Sequence, residues 1–205
     1  MGLHFLRTLS CITMFLAVGC AVPGGADVAR AADMPAMRWD HRPEARDWTQ
    51  ATLTALTRQG AALSKVVPSD VDTFCPAYAD GDQHQRQAFW AGFLSALAKH
   101  ESTWDPKAMG GGGRWVGLMQ IAPKTAKAFD CAATDREALT NGRANLACAV
   151  RIAAAEVGRD GAIVSGASGW RGVARQWAPL RIPSKRADIA RWTRAQSYCT
   201  LTGKS

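Results

Sequence analysis

Hydrophobic positions recur at helical spacing along most of this chain and almost nowhere at the alternation of a strand. Between Glu44 and about Val66, Trp48, Ala51 and Ala55 stand three and four residues apart, and Leu56 and Leu63 widen the stripe; this predicts a helix. Pro68, the turn-rich PSDVD, Pro76 and ADGD then predict a loop containing Cys75. A long helix is predicted from about Asp82 to Glu101, and the glycine-rich, then apolar segment 110–121 suits a loop or short hairpin. Pro123 sits where a first-turn proline opens a helix, PKTAKAFD. Asn141-Gly142 marks a turn, and RANLACAVRIAAAEVGRDG reads as an amphipathic helix ending at a glycine. GWRGVARQWA and KRADIARWTRAQSYC predict two further helical stretches, separated by Pro179 and Pro183. The pattern is mainly α and single-domain, without internal repeats. Residues 32–44, polar and proline-containing, read as a linker. The expected layout is therefore a linker and helix over 32–82 and the main domain over 83–199.

The first thirty residues follow a different logic. Arg7 is a positive flank, TLSCITMFLAVGCAV an apolar core, and ARAAD an Ala-x-Ala cleavage site after Ala31, together a secretory signal over 1–31. LAVGC is also a loose lipobox, which would end the signal at residue 19 and make Cys20 a lipid anchor in the outer membrane. Either route leads to the periplasm. Beyond this segment no run approaches the roughly 18 apolar residues of a membrane span. Four cysteines remain, Cys75, Cys131, Cys148 and Cys199, an even number suited to two disulfides in an oxidising compartment. Four cysteines allow three connectivities. Cys131 and Cys148 flank the Asn141-Gly142 turn, where an antiparallel helix pair would join them; Cys75–Cys199 follows by elimination. Neither C-x-x-C nor zinc-type Cys/His spacing occurs, so no metal or cofactor is expected. The formal net charge is +8, and +7 without residues 1–31. The basic residues form no block, and export makes nucleic acid a poor partner for them; an acidic wall polymer fits better.

The candidate chemistry centres on Glu101. Trp90, Leu94, Leu97 and Glu101, spaced four, three and four apart, fall within roughly a 60° arc of one helix. Glu101 therefore continues an apolar stripe, where lost hydration raises a carboxyl pKa and keeps a proton available for donation. His100-Glu101 begins like the zinc motif H-E-x-x-H, but the fifth position is Trp104. After Glu101 the chain turns through STWDPKA, and four glycines at 110–113 permit close backbone approach to a ligand. Gln120 returns an amide that both donates and accepts. Such groups suit a polymer of acetamido sugars.

HESTWDPKAMGGGGRWVGLMQIAPKTA resembles the catalytic core of the soluble lytic transglycosylase (SLT) domains, which share a lysozyme-like fold. The matching residues are Glu101-Ser102, Gly117-Leu118-Met119-Gln120, Pro123, Thr125 and Ala126, with Asn145-Leu146 as a later element. The resemblance covers roughly residues 83–180. It implies a monomer with a glycan-binding cleft that cleaves peptidoglycan strands between N-acetylmuramic acid and N-acetylglucosamine. Glu101 would be acid and then base, and Ser102 would orient substrate or the carboxyl. Gly117, Leu118, Met119, Gln120 and Asn145 would line the substrate groove. The family's third element usually carries Ala-Tyr-Asn, whose tyrosine bonds the glutamate. Here GWRGVARQWAPLR occupies that region, Tyr78 and Tyr198 lie in other contexts, and Trp177 is the candidate stand-in.

No convincing second acid accompanies Glu101. Asp105 precedes a proline and is expected to cap a turn, and Asp130 and Asp135 suit helix ends. A transglycosylase forming a 1,6-anhydromuramyl product is the leading expectation. A water-using lysozyme-type hydrolase and an inactive wall-binding envelope protein are the alternatives.

Overall fold

The computed structural model describes residues 1–2, 34–165 and 169–200. Beyond residues 1–2, the expected export segment, with Cys20 and the Ala31 cleavage site, lies outside the described residues. The helices are α1 (Ala45–Arg58), α2 (Ala61–Lys65), α3 (Gln83–Glu101), α4 (Pro123–Ala128), α5 (Arg136–Leu139), α6 (Gly142–Asp160) and α7 (Pro183–Arg194). A two-stranded antiparallel hairpin, β1 (Met109–Gly110) and β2 (Trp115–Val116), follows α3 and pairs Met109 with Val116. The architecture is mainly α, as the hydrophobic spacing predicted.

The α3 helix is the axis of the core. Asp82 caps it: its side chain accepts from the Gln85 amide while the Gln85 side chain accepts from the Asp82 amide. Every residue from Gln87 to Ala98 is buried. The helix is therefore enclosed on all sides, and the stripe read from Trp90, Leu94 and Leu97 is one part of a wholly buried surface. Phe74, Tyr78, Phe89, Trp90 and Phe93 pack mostly edge-to-face around it, and the Trp90 indole donates to the Tyr78 hydroxyl at 2.9 Å. That hydroxyl donates in turn to the Leu63 carbonyl, and burial pushes the Tyr78 phenol up to about 12. Gly92 admits Tyr198, whose hydroxyl a Cβ would overlap. Fully burying one such aromatic or Leu side chain contributes about 1.5–3 kcal/mol.

Several boundaries differ from the sequence reading. The expected 44–66 helix breaks at Gln59-Gly60, where a Cβ on Gly60 would collide with Val150 of α6. Arg136–Leu139 adds a short helix capped by Asp135, and Asn141 caps α6 through the Ala144 amide. The stretch around 171–181 forms 3₁₀ turns, Gly172–Arg175 and Ala178–Arg181, because Pro179 interrupts it. The described part of the supposed linker is structural. Met37 and Trp39 are buried, Trp39 stacks edge-on against Trp48, and Arg38 donates twice to Asp188 of α7 at 2.8 and 3.1 Å. The described residues from Pro35 onward form one compact unit.

Two disulfides close the structure, Cys75–Cys199 and Cys131–Cys148. The first ties the loop before α3 to the C-terminal turn; the second joins the end of α4 to α6. Among the described residues no helix is long and apolar enough to cross a membrane.

Candidate active site

Glu101 is the last residue of α3, and Ser102 caps the helix. Immediately afterwards Thr103 and Trp104 adopt φ of 53° and 58°, left-handed values that turn the chain away sharply. The Trp104 indole anchors this turn by donating to the Ser95 carbonyl at 2.9 Å. Asp105 accepts from the Lys107 amide at 2.9 Å, closing the loop as its place before Pro106 suggested. The helix thus delivers Glu101 half-buried at a cleft wall, with Oε1 cut off from water and lacking a hydrogen-bond partner. Burial raises its pKa from 4.5 to about 7, an effect the positive charge of Lys185 partly opposes.

The cleft has a volume of about 430 Å³, and Glu101 shares it with His100, Trp115, Gln120, Gln176, Arg181 and Lys185. Glu101 is the one carboxylate among these lining groups. The His100 ring pairs with Asp188 at 2.8 Å, and Arg38 and Lys99 converge on the same carboxylate. These cations hold Asp188 well below the usual carboxylate range, with Arg38 the largest influence, while burial lowers the His100 pKa. The α3–α7 edge of the cleft is thereby tied down beside Glu101.

The glycine-led turn after β2 faces this edge. Gly117 has φ 79°, and a Cβ there would overlap the Leu139 carbonyl and the Asn145 side chain. Asn145 is fully buried. It accepts from the Met119 amide at 2.9 Å and donates to the Val116 and Leu139 carbonyls at 3.0 Å each. The Ser102 hydroxyl donates to the Leu118 carbonyl at 2.9 Å, and the Trp177 indole to the Met119 carbonyl at 2.8 Å. Gln120, at φ 45°, donates both amide hydrogens to backbone, to Ala108 at 3.1 Å and Gly117 at 3.0 Å. Its Oε1 remains as an acceptor.

The seven residues expected at the substrate groove thus divide, with Gly117 opening the turn through its positive φ. Gln120 lines the cleft with Glu101. Leu118, Met119, Asn145 and Trp177 have their side chains in the core, and Ser102 spends its hydroxyl on backbone. The Ser102, Asn145 and Trp177 side chains bond the backbone of the Gly117–Gln120 turn and hold it in place. Trp177, the candidate stand-in for the family tyrosine, donates its one indole hydrogen bond to the Met119 carbonyl. Tyr78 and Tyr198 donate to the Leu63 and Ala36 carbonyls, away from Glu101. Sequence reasoning missed Gln176, Arg181 and Lys185. Gln176 and Arg181 lie in GWRGVARQWAPLR, the segment that departs from the family pattern, and that departure was the available signal; Lys185 follows it in the next helix.

A family model described as Transglycosylase SLT domain matches residues 79–161. Among solved structures, wild-type Bd0314 DslA superposes with a TM-score of 0.74 at 29% identity, covering 82% of this chain and 99% of that one. A DslA variant with a Glu-to-Gln substitution aligns at 30% identity and TM-score 0.72, covering 78% of this chain and 95% of that one. A second Glu-to-Gln variant gives 28% and 0.73, with coverage of 82% and 99%. The chain belongs to the transglycosylase SLT domain family. No curated protein matches it significantly. Within this SLT domain the matched segment runs from Ala79, just before α3, to Gly161 at the end of α6, so it contains Glu101, the Gly117–Gln120 turn and Asn145. Gln176, Arg181 and Lys185 lie beyond it.

Proposed function

We propose that this SLT domain cleaves the β-1,4 bond between N-acetylmuramic acid and N-acetylglucosamine in peptidoglycan, releasing a 1,6-anhydromuramyl end. The observation that carries the reading is the cleft's single carboxyl, Glu101, buried enough to keep its proton near neutral pH. A retaining glycosidase with a protein nucleophile needs a second carboxylate about 5–5.5 Å away, and an inverting one needs a base at about 6.5–9.5 Å. No lining residue offers either.

Glu101 gives its proton to the glycosidic oxygen as the bond from that oxygen to the muramyl C1 breaks. The substrate's acetamido oxygen attacks C1 and carries the positive charge as a cyclic oxazolinium. The Glu101 carboxylate then removes the proton of the 6-hydroxyl, O6 bonds to C1, and the acetamido group is released. Glu101 ends protonated and no water is consumed. Arg181 and Lys185 give the cleft a positive wall suited to a carboxylate-bearing polymer. An exported location fits this substrate, and disulfides are compatible with the oxidising compartment it implies.

Digestion of purified sacculi in oxygen-18 water tests the product. Unlabelled anhydromuramyl ends are expected. Stoichiometric label in reducing muramic acid ends would make the enzyme a lysozyme-type hydrolase.

A further inference from the structure

The reaction above makes no use of two carboxylates on the last turns of α6, one of them buried. Glu156, 1% exposed, accepts from the Gln176 amide through Oε1 at 2.6 Å and pairs with Arg159 through Oε2. One turn later Asp160 accepts from the Gly172 amide at 2.7 Å and from Arg175 at 2.8 Å. Together they grip both ends of the 172–176 segment, the one that replaces the family's tyrosine element. Gly172 has φ 51°, and a Cβ there would overlap the Ala162 carbonyl, so the segment lies hard against the loop after α6.

This grip sets what Gln176 offers the cleft. A carboxylate paired with arginine only accepts, so Gln176 must turn its NH₂ toward Glu156. Gln176 lines the cleft that holds Glu101, and its Oε1 and one N–H have no protein partner among the described residues. A fixed acceptor and donor side by side match a group that carries both, such as the acetamido group or a hydroxyl of a sugar. Burying a carboxylate is expensive unless it is paired, and an apolar side chain could fill the same place at less cost. The charge is retained where it orients a cleft residue.

We propose that Gln176 is a specificity-determining residue of the glycan cleft, bonding an acetamido or hydroxyl group of the strand, and that Glu156 is a positioning residue acting through it. The inference rests on the glycan-cleavage reading. Its test is a double-mutant cycle on soluble glycan strands, with KM, kcat and Tm measured for the wild type, Gln176→Leu, Glu156→Gln and the double variant. Loss of one substrate hydrogen bond is expected to raise KM about 10-fold in Gln176→Leu, with kcat within about 2-fold of wild type. Glu156→Gln should raise KM by about 3- to 10-fold alone and not at all in the Gln176→Leu background. Should Glu156→Gln fail to fold, Glu156→Asp keeps the charge, withdraws the bond, and should show the same non-additivity. An unchanged KM in Gln176→Leu overturns the proposal while wild-type turnover leaves the cleavage reading standing. Additive KM effects overturn the positioning role of Glu156, as does a lowered Tm without a change in KM. Absence of wild-type turnover sinks both readings together.

Discussion

Replacing Glu101 by glutamine should make the protein more stable at alkaline pH and leave its stability in acid nearly unchanged. The folded state raises the Glu101 pKa from 4.5 to about 7, chiefly by burial. The folded protein thus holds this proton more tightly than the unfolded chain does. Its stabilising contribution is fully present below pH 4.5 and is lost as pH rises through 7; above 7 the fold carries a poorly solvated charge. At about 1.36 kcal/mol per pKa unit the rise corresponds to about 3 kcal/mol. The cleft is open to water on one side, which screens part of it, so about 2 kcal/mol is expected. For a domain of this size that is about 4–8 °C in Tm. Glutamine has nearly the same shape and is neutral at every pH, so any packing cost of the change is common to both conditions. The assay is a pair of thermal melts, wild type and Glu101→Gln, at pH 4 and pH 8 with disulfides intact. The variant's Tm relative to wild type should rise by that amount between the two pH values. A difference that does not change with pH, or that changes in the opposite direction, would refute the buried-acid assignment.

Three further perturbations test how the cleft is built. Lys185→Met removes the charge that opposes the Glu101 shift, so the alkaline limb of the activity profile should move to higher pH; a pH–rate series in which it stays or falls would contradict the coupling. Asn145→Ala leaves the buried Met119 amide without its acceptor and should cost about 2–4 kcal/mol in denaturant melts, with loss of wall turnover. Removing Cys75–Cys199, whose ends are 124 residues apart, should destabilise by about 4–5 kcal/mol; removing Cys131–Cys148, 17 apart, should cost about 3 on the chain-entropy model. Melts of the two double-serine variants check the order.

Helices with one apolar face, or with a capping signal, were legible in the sequence. Asp82 before Gln85 and Pro123 before an apolar run each mark a start that local chemistry determines. Glu101 was legible because a carboxylate at the end of so apolar a helix has few structural explanations. What sequence spacing could not separate is a groove wall from its backing. Leu118, Met119, Asn145 and Trp177 sit within or near the motif, yet their side chains hold the turn from behind. Only the orientation of the backbone at Gly117 and Gln120, with positive φ at both, decides which side faces the cleft. The polar look of residues 35–44 concealed Met37 and Trp39, two apolar anchors too widely separated from other signals to show a period. Arg181, Lys185 and Gln176 reach the cleft through 3₁₀ turns and a helix start, for which no sequence period exists.

The central claim is that Glu101 is the acid and base of glycan cleavage. Its most direct test is the mass spectrum of soluble fragments released from purified sacculi by wild-type protein and by folded Glu101→Gln at equal concentration. The wild type should release anhydromuramyl fragments, and the variant should still bind sacculi while releasing none above background. Comparable release by a clean preparation of the variant would contradict the account.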